Sequence, residues 1–439
     1  MDSCFCKPLP LKIMNIDTQK DKYFMRNAAG VSLVEFIWGL GFPILLESTF
    51  LQIFLKTLGA SDFIIGLVPC IFITGISIFP LLSSYLTRNQ QSKKKVVISL
   101  HILSSLAIIL FGISLFFVTT PSFILVLFFL SYAAFSLSLG LTLPVWLNFL
   151  VKIFSEKKNI SGLGIMMSSQ STAKLISSFA IIKVVEGFGF STSSAAWIFL
   201  ISGLLFLLGS FCFLFTREIS SRDTMPVNHE SFFKHTKSSL AEIIKNKNFL
   251  KYLAGDLDNY IIITTISFYA VYATQYFNIS PSTAAGGFVG FYYTGSIFAN
   301  LLLGPFNVFK FMDLRRKFIS TKVFTITGLL ILILQPCVPG FFTASFIFGI
   351  VRGTRNIIFS PAVKKFSGKE DSTGYFAITP LLTIIFGSGL PVFYGAFLDL
   401  FSGMEANAYK IMFSISILLT LVIFYFAVIT DFSKKENLK

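Results

Sequence analysis

Residues 216–251 read TREISSRDTMPVNHESFFKHTKSSLAEIIKNKNFLK, the one long hydrophilic segment between two strongly apolar stretches of sequence. Six apolar runs, each long enough to cross about 30 Å of hydrocarbon, precede this segment, and six more follow it. The sequence therefore predicts two halves of similar size joined by a hydrophilic linker.

The chain has the composition of a membrane protein. Of its 439 residues, 54% are hydrophobic and 13% are charged, whereas a soluble domain carries about 25% charged residues. Runs of this length satisfy their backbone hydrogen bonds as helices, and they lack the period-two alternation of a transmembrane barrel. We predict an all-α membrane protein with twelve transmembrane helices in two pseudo-symmetric six-helix halves.

The domain boundaries follow from the apolar runs. We predict an N-terminal tail (1–27), a first half (28–215), a central linker (216–250), a second half (251–430) and a C-terminal tail (431–439). The predicted spans are 28–53, 62–86, 96–118, 122–149, 161–185, 192–215, 251–277, 283–306, 318–338, 341–362, 373–398 and 408–430.

The basic residues predict the topology. The net charge is +15, and most Lys and Arg side chains fall in the two tails, the linker and alternate loops. These loops are residues 88–95, 152–158, 310–322 and 364–369. Because cytoplasmic loops are enriched in Lys and Arg, we expect both termini and the linker to face the cytoplasm. This topology accounts for the positive charge without nucleic acid as a partner.

The linker contains a candidate amphipathic helix. Between Ser231 and Phe249, apolar side chains alternate with lysines. Such a pattern suits a helix that lies on an anionic leaflet. A solvated linker is the alternative.

Four short motifs give the chain a family resemblance. Residues 58–66 (LGASDFIIG) and 278–287 (NISPSTAAGG) look like short outer turns after spans 1 and 7. Residues 88–95 and 313–317 (DLRRK) look like weakened copies of an acidic-then-basic cytoplasmic loop signature. With its six-plus-six organisation, the chain resembles the Major Facilitator Superfamily. The first loop copy lacks the acid, so only Asp313 matches the gating position.

The resemblance implies a central cavity lined by spans 1, 4, 7 and 10, and transport by alternating access. In span 10, Arg352, Arg355 and Asn356 lie within about one helical turn of each other. Ionisable residues deep in a span usually face a cavity or a partner, and a guanidinium matches a carboxylate or phosphate. We therefore expect these side chains to bind an anionic substrate.

Further candidate substrate ligands lie in spans 5 and 7. Gln170 and Lys174 share one face of span 5, although small polar residues on that face also suit helix packing. Tyr269 and Tyr272 of span 7 offer hydroxyls to a substrate, with aromatic packing as the alternative.

Acidic residues in the apolar runs are candidates for coupling or gating. Glu35 in span 1 lies deep enough to take up a coupling proton, or else to pair with Arg355 or Lys174 as a gate. Asp256 and Asp258 begin span 7, where negative charge is favoured, and suit gating or capping. Glu47 lies near the outer end of span 1.

The chain has no catalytic motif, no metal-ligand spacing and no phosphate-binding loop, so we expect neither an enzyme nor a cofactor. We predict a monomeric secondary transporter in a bacterial inner membrane. Its expected partners are the lipid bilayer, a small organic anion or zwitterion as substrate, and protons or Na⁺ as coupling ion.

Two alternatives remain. One is an efflux antiporter for amphipathic drugs or metabolites, although the Gly-Pro antiporter signature is absent from residues 162–172. The other is a non-transporting protein such as a scramblase or sensor.

Overall fold

The computed structural model describes residues 16–46, 49–87, 92–155, 158–189, 191–219, 232–303, 311–368 and 373–433. All regular secondary structure within these ranges is helical. The predicted Glu47 and most of the predicted tails lie outside the described residues, as does part of the central linker.

Within the described residues, eight helices lie before residue 216. They are α1 Ile16–Lys22, α2 Phe24–Leu45, α3 Thr49–Thr57, α4 Asp62–Thr87, α5 Lys93–Ser114, α6 Pro121–Ile153, α7 Asn159–Phe188 and α8 Thr192–Cys212.

Eight further helices lie in the part of the chain described after residue 231, the first of them within the linker. They are α9 Phe232–Lys245, α10 Lys247–Gly255, α11 Asp258–Tyr276, α12 Phe288–Leu303, α13 Leu314–Leu334, α14 Val338–Ser367, α15 Thr373–Leu400 and α16 Ala406–Ile429. A π-helical turn, Thr283–Gly287, leads into α12.

Eight helices in the described ranges are long and apolar enough to cross a membrane: α2, α4, α5, α6, α8, α13, α15 and α16, some of them over part of their length. The other predicted spans coincide with α7, α10–α11, α12 and α14. Helices α7 and α14 are long but carry polar and charged residues. The span of α10–α11 is interrupted, and α12 is short.

Within the described residues, one predicted span is discontinuous. Span 7 is divided at Asp256 into α10 and α11, and Asp256 leaves the helical conformation, with φ −95° and ψ 0°. Predicted span 1 covers α2 and α3, with residues 47–48 outside the described ranges. The sequence predicts a continuous helix over span 7 because apolar residues precede and follow the polar residues within 256–259.

Most helices pack against helices of their own half. The two halves meet mainly along α4 and α15. In the first half α2 packs on α7 and α8, and in the second half α12 packs on α14. At Gly66 of α4 a Cβ atom would lie 2.3 Å from the carbonyl oxygen of Pro391 in α15. Only glycine permits this approach of the two halves.

The linker helix α9 belongs to the second half. Ile243 is 1% exposed and lies in an apolar cluster with Phe249, Phe366 and Tyr375. Ile244, its neighbour in sequence, is 51% exposed. The helix expected between Ser231 and Phe249 is thus present over Phe232–Lys245, and its buried face packs on protein.

Candidate functional site

A cluster of charged side chains lies inside the second half. It joins the α10–α11 break to α14, and its centre is a small cavity lined by Asp256, Asp258, Asn259, Arg352 and Arg355. At this break two acidic residues, Asp256 and Asp258, bind different basic residues.

Arg355 is bound to Asp256. Its Nε lies 3.0 Å from both carboxylate oxygens, and its Nη2 lies 2.6 Å from Oδ2. The guanidinium also stacks over the ring of Phe359 at 4.5 Å. Asp256 therefore balances the charge of Arg355 in this conformation.

Asp258 is bound to Lys322 of α13. The Lys322 Nζ lies 2.9 Å from Asp258 Oδ1, and the two side chains are 1% and 3% exposed. The basic loop 310–322 includes Lys322, which also falls within the predicted span 318–338, and the structure places it in a helix. Helix α13 begins at Leu314, so Lys322 lies in its third turn and points into the protein.

Arg352 has a neutral partner. It donates a hydrogen bond to the side-chain oxygen of Asn259, and within the described ranges no carboxylate forms an ion pair with it. The cluster thus brings three cations, Arg352, Arg355 and Lys322, to two carboxylates. Asn356, on the next turn of α14, is exposed.

A second polar group lies in the first half. Gln170 Nε2 donates to Glu35 Oε2 at 2.5 Å, and Glu35 is 6% exposed. The charge of Lys174, one turn along α7, also acts on Glu35. In this conformation Arg355 is bound to Asp256 and not to Glu35.

Lys174 lies where the two halves face each other. Its Nζ is 5.3 Å from the ring centre of Phe42 and 5.1 Å from that of Tyr293. Phe42 belongs to α2 of the first half and Tyr293 to α12 of the second. A cation between two rings is attracted to both of them, so Lys174 bridges the halves.

Tyr269 and Tyr272 are core residues in this conformation. Tyr269 is 1% exposed and its hydroxyl lies 2.9 Å from Ser345 Oγ. Tyr272 is fully buried and stacks on Tyr409 with ring centres 5.2 Å apart. Both side chains follow the packing alternative that the sequence left open.

Asp313 caps a helix. Its side chain accepts a hydrogen bond of 2.7 Å from the backbone N–H of Arg316 in the first turn of α13. This is the role that a short acidic side chain has at a helix N-terminus.

Two further acidic residues, Glu218 and Asp399, each bind the N-terminus of a helix near one end of the molecule. The sequence did not indicate either contact. Glu218 accepts hydrogen bonds from the backbone N–H groups of Lys93 and Lys94 at 3.0 and 2.9 Å. Asp399 of α15 accepts from the N–H groups of Asp62 and Phe63 in α4, at 2.7 and 2.8 Å. We call this second contact the Asp399 latch, because it joins the halves.

The two contacts lie at opposite ends of the molecule. Helix α4 has 26 residues, or about 39 Å. It begins at the Asp399 latch and ends beside Lys93, whose Nζ is bound to the carbonyl of Thr87. Helices α3 and α11 also meet across the two halves. The halves are thus held together at the Asp399 end.

The described ranges contain no group of three or more His, Cys, Asp or Glu residues that could hold a metal ion. The arrangement offers charge and hydrogen bonds to a solute.

Comparisons with known proteins agree with this architecture. The nucleoside transporter NupG, solved as a mutant, has a TM-score of 0.70 at 15% identity, and the match covers 92% of this chain and 99% of that one. An inward-facing, unoccupied bacterial homologue of the human lysosomal transporter Spinster has a TM-score of 0.60 at 15% identity, covering 94% and 96%. A POT family transporter in complex with 5-aminolevulinic acid has a TM-score of 0.67 at 13% identity, covering 93% and 97%.

These identities show a shared fold alone. A search of curated proteins finds no match. The family model described as Major Facilitator Superfamily matches residues 29–379, which is most of the chain and includes parts of both halves. The resemblance drawn from the sequence is therefore confirmed, and the chain belongs to the Major Facilitator Superfamily.

Proposed function

We propose that this protein is a secondary active transporter of a small organic anion or zwitterion, working by alternating access. One observation carries the proposal: three cations share two carboxylates in the cluster, and Arg352 is left with an amide partner. A charge inside a membrane protein is costly without an opposite charge. A substrate carboxylate or phosphate at Arg352 supplies it.

The roles within the cluster follow from the pairing. Arg352 is the substrate ligand, and Asn259 holds its guanidinium in place. Arg355 is a positioning residue, since Asp256 already balances its charge. Asn356, exposed one turn further along α14, offers the substrate a neutral hydrogen-bonding group.

Lys174 and Gln170 supply the first half's contribution. The Lys174 ammonium lies between the halves, where it adds a second positive charge for an anion. Glu35, held by Gln170, is the group we assign to proton coupling. Protonation of Glu35 would remove a negative charge that acts on Lys174.

The orientation in the membrane completes the proposal. Lysines and arginines collect at the end that holds Glu218, Lys93 and Lys152, and such residues favour the cytoplasm. We therefore place the protein in a bacterial inner membrane, which it crosses with twelve spans. Both termini then lie at the cytoplasmic face. In that orientation the Asp399 latch lies at the outer end of the molecule.

Ligand-dependent thermal stability of the purified protein tests the anion site. The panel contains carboxylates, phosphates, amino acids, sugars and cationic drugs. A ligand at 100 times its dissociation constant stabilises by about 2.7 kcal/mol, so an anion that binds raises the melting temperature of the parent. We expect Arg352→Gln to abolish this rise.

The matched control is Lys183→Gln. Lys183 is 83% exposed and pairs with Glu186 along α7, so its loss removes the same charge outside the cluster. An anion that stabilises the parent and Arg352→Gln equally would overturn the site. Stabilisation by cationic or neutral compounds alone would favour the efflux of amphipathic molecules.

A further inference from the structure

Helix α15 is separated from its own half. It packs closely along α4 of the first half but meets α11 and α16 of the second half at few positions. A groove of about 780 Å³ occupies the gap between α15 on one side and α10, Leu257 and α16 on the other.

The groove has an apolar wall. Ile385 and Phe393 on its rim are 85% and 56% exposed, and Thr383 is the one hydroxyl among the residues that line it. Helices α15 and α16 have the length and composition of membrane spans. Because the groove opens sideways between such helices, hydrocarbon chains are the molecules that can reach it from the bilayer.

The single hydroxyl points toward the charged cluster. Thr383 Oγ1 lies 2.7 Å from the hydroxyl of Tyr260 in α11. Tyr260 follows Asn259, the residue that binds Arg352. The charges of Arg355, Asp256 and Arg352 also act on Tyr260, so the hydroxyl of the groove is bound to a side chain that lies near the cluster.

We propose that the groove binds the hydrocarbon chain of a single-chain amphipathic anion, whose charged head is bound by Arg352. The proposal rests on the proposed function and narrows its substrate class to lipid-like carboxylates or phosphates. The Tyr260–Thr383 hydrogen bond lies at the junction of head and chain, and it opens when such a molecule enters.

Specificity for this ligand comes from its charged head, and the groove holds its hydrocarbon chain. Moving a chain from bilayer to groove exchanges one apolar environment for another, so the chain alone gives little preference. A bidentate carboxylate or phosphate contact with Arg352 does distinguish the ligand from bulk lipid. Labelling of the groove must therefore depend on head charge and on Arg352.

Photocrosslinking of the full-length protein in phosphatidylcholine nanodiscs tests this. The probes carry one diazirine-bearing chain and differ in their heads: lysophosphatidate is anionic, and lysophosphatidylcholine is zwitterionic. We expect lysophosphatidate to label peptides containing residues 250–257 and 382–393 at least fivefold more than lysophosphatidylcholine does. Arg352→Gln should remove that difference.

A bulky side chain can close the groove. A Cβ at Gly389 meets no atom within 4 Å, so Gly389→Trp fits without displacing a helix and fills the space. We expect this variant to lose the labelling and to keep the stabilisation by short anions. Gly187 in α7 is equally open and lies outside the groove, so Gly187→Trp should label like the parent.

The outcomes separate the two proposals. Equal labelling by both heads, unchanged in Arg352→Gln, would mean that bulk lipid fills the groove and would overturn the inference. If short anions still stabilised the parent through Arg352 in that case, the proposed transporter of small anions would stand. Unchanged labelling in Gly389→Trp would overturn the placement of the chain.

Discussion

At the scale of single residues, the charged cluster shows what a sequence can and cannot give. Arg352, Arg355, Asp256 and Asp258 stand out because ionisable groups are rare in apolar runs. The sequence does not show which side chains form pairs, because Asp256 lies 99 residues from Arg355 and Asp258 lies 64 residues from Lys322. Only the packed helices decide which acid meets which base.

The buried pair of Asp258 and Lys322 makes a prediction about stability. Asp258→Asn leaves an ammonium that is 1% exposed without its counter-charge, and breaking a buried pair this way costs about 3–5 kcal/mol. We expect a clear fall in the melting temperature. Adding Lys322→Met to Asp258→Asn removes the unpaired buried charge. We expect this double variant to regain most of the lost melting temperature.

The control for this prediction is an exposed pair. Lys183 and Glu186 form an ion pair with side chains 83% and 49% exposed, and such pairs contribute about 0–1 kcal/mol. Glu186→Gln should therefore melt like the parent. A double variant of the buried pair that melted as low as Asp258→Asn alone would contradict the charge argument.

At the scale of elements, the apolar pattern predicted where helices lie but not where they break. Helices α10 and α11 of span 7 are separated at Asp256. The polar residues within 256–259 mark that point in the sequence, but they predicted gating or capping and not a break in the helix. Asn246 shows the same limit: its side chain caps α10 by accepting from Phe249 N–H at 2.9 Å. That cap separates α9 from α10 inside a continuous amphipathic pattern.

The docking of α9 can be tested with two neighbouring residues. Ile243 is 1% exposed against the second half, and Ile244 is 51% exposed. Burying a polar amide without partners costs about 1–3 kcal/mol, so Ile243→Asn should undock the helix. We expect faster hydrogen exchange across α9 in this variant, measured by mass spectrometry.

Ile244→Asn provides the comparison for that measurement. The substitution is chemically the same and lies on the open face of α9, so exchange should match the parent. Equal exchange in all three proteins would show that Ile243 does not hold the linker helix to the second half.

At the scale of the whole molecule, the sequence predicted two halves and their family, and it could not predict the conformation. The halves are joined at the end where Asp399 caps α4, a helix of the opposite half. An acid near the end of a predicted span has no visible partner in a sequence. Its partner here is a helix N-terminus 336 residues away.

The Asp399 latch predicts which state the protein prefers. Hydrogen bonds to a charged group contribute about 1.5–3 kcal/mol each, and two of them exist only while this end is closed. Asp399→Ala should therefore shift the equilibrium by about tenfold or more toward opening at this end.

Spin labels on the two halves measure that shift. Gly187 near the end of α7 and Gly403 after α15 both have open space around a Cβ position. Labelled cysteines at these positions, in a variant that lacks the five native cysteines, report the distance across the Asp399 end. We expect Asp399→Ala to lengthen the mean distance and broaden its distribution.

Ser191→Ala is the decisive control, because Ser191 also caps a helix, accepting from the backbone N–H of Ser194 in α8, but does so within one half. Loss of that cap costs about 1 kcal/mol of stability and leaves the balance between the two conformations unchanged. A longer distance in Asp399→Ala alone assigns the effect to the contact between halves. If both variants lengthened it equally, general destabilisation would explain the opening, and the latch would have no part in alternating access.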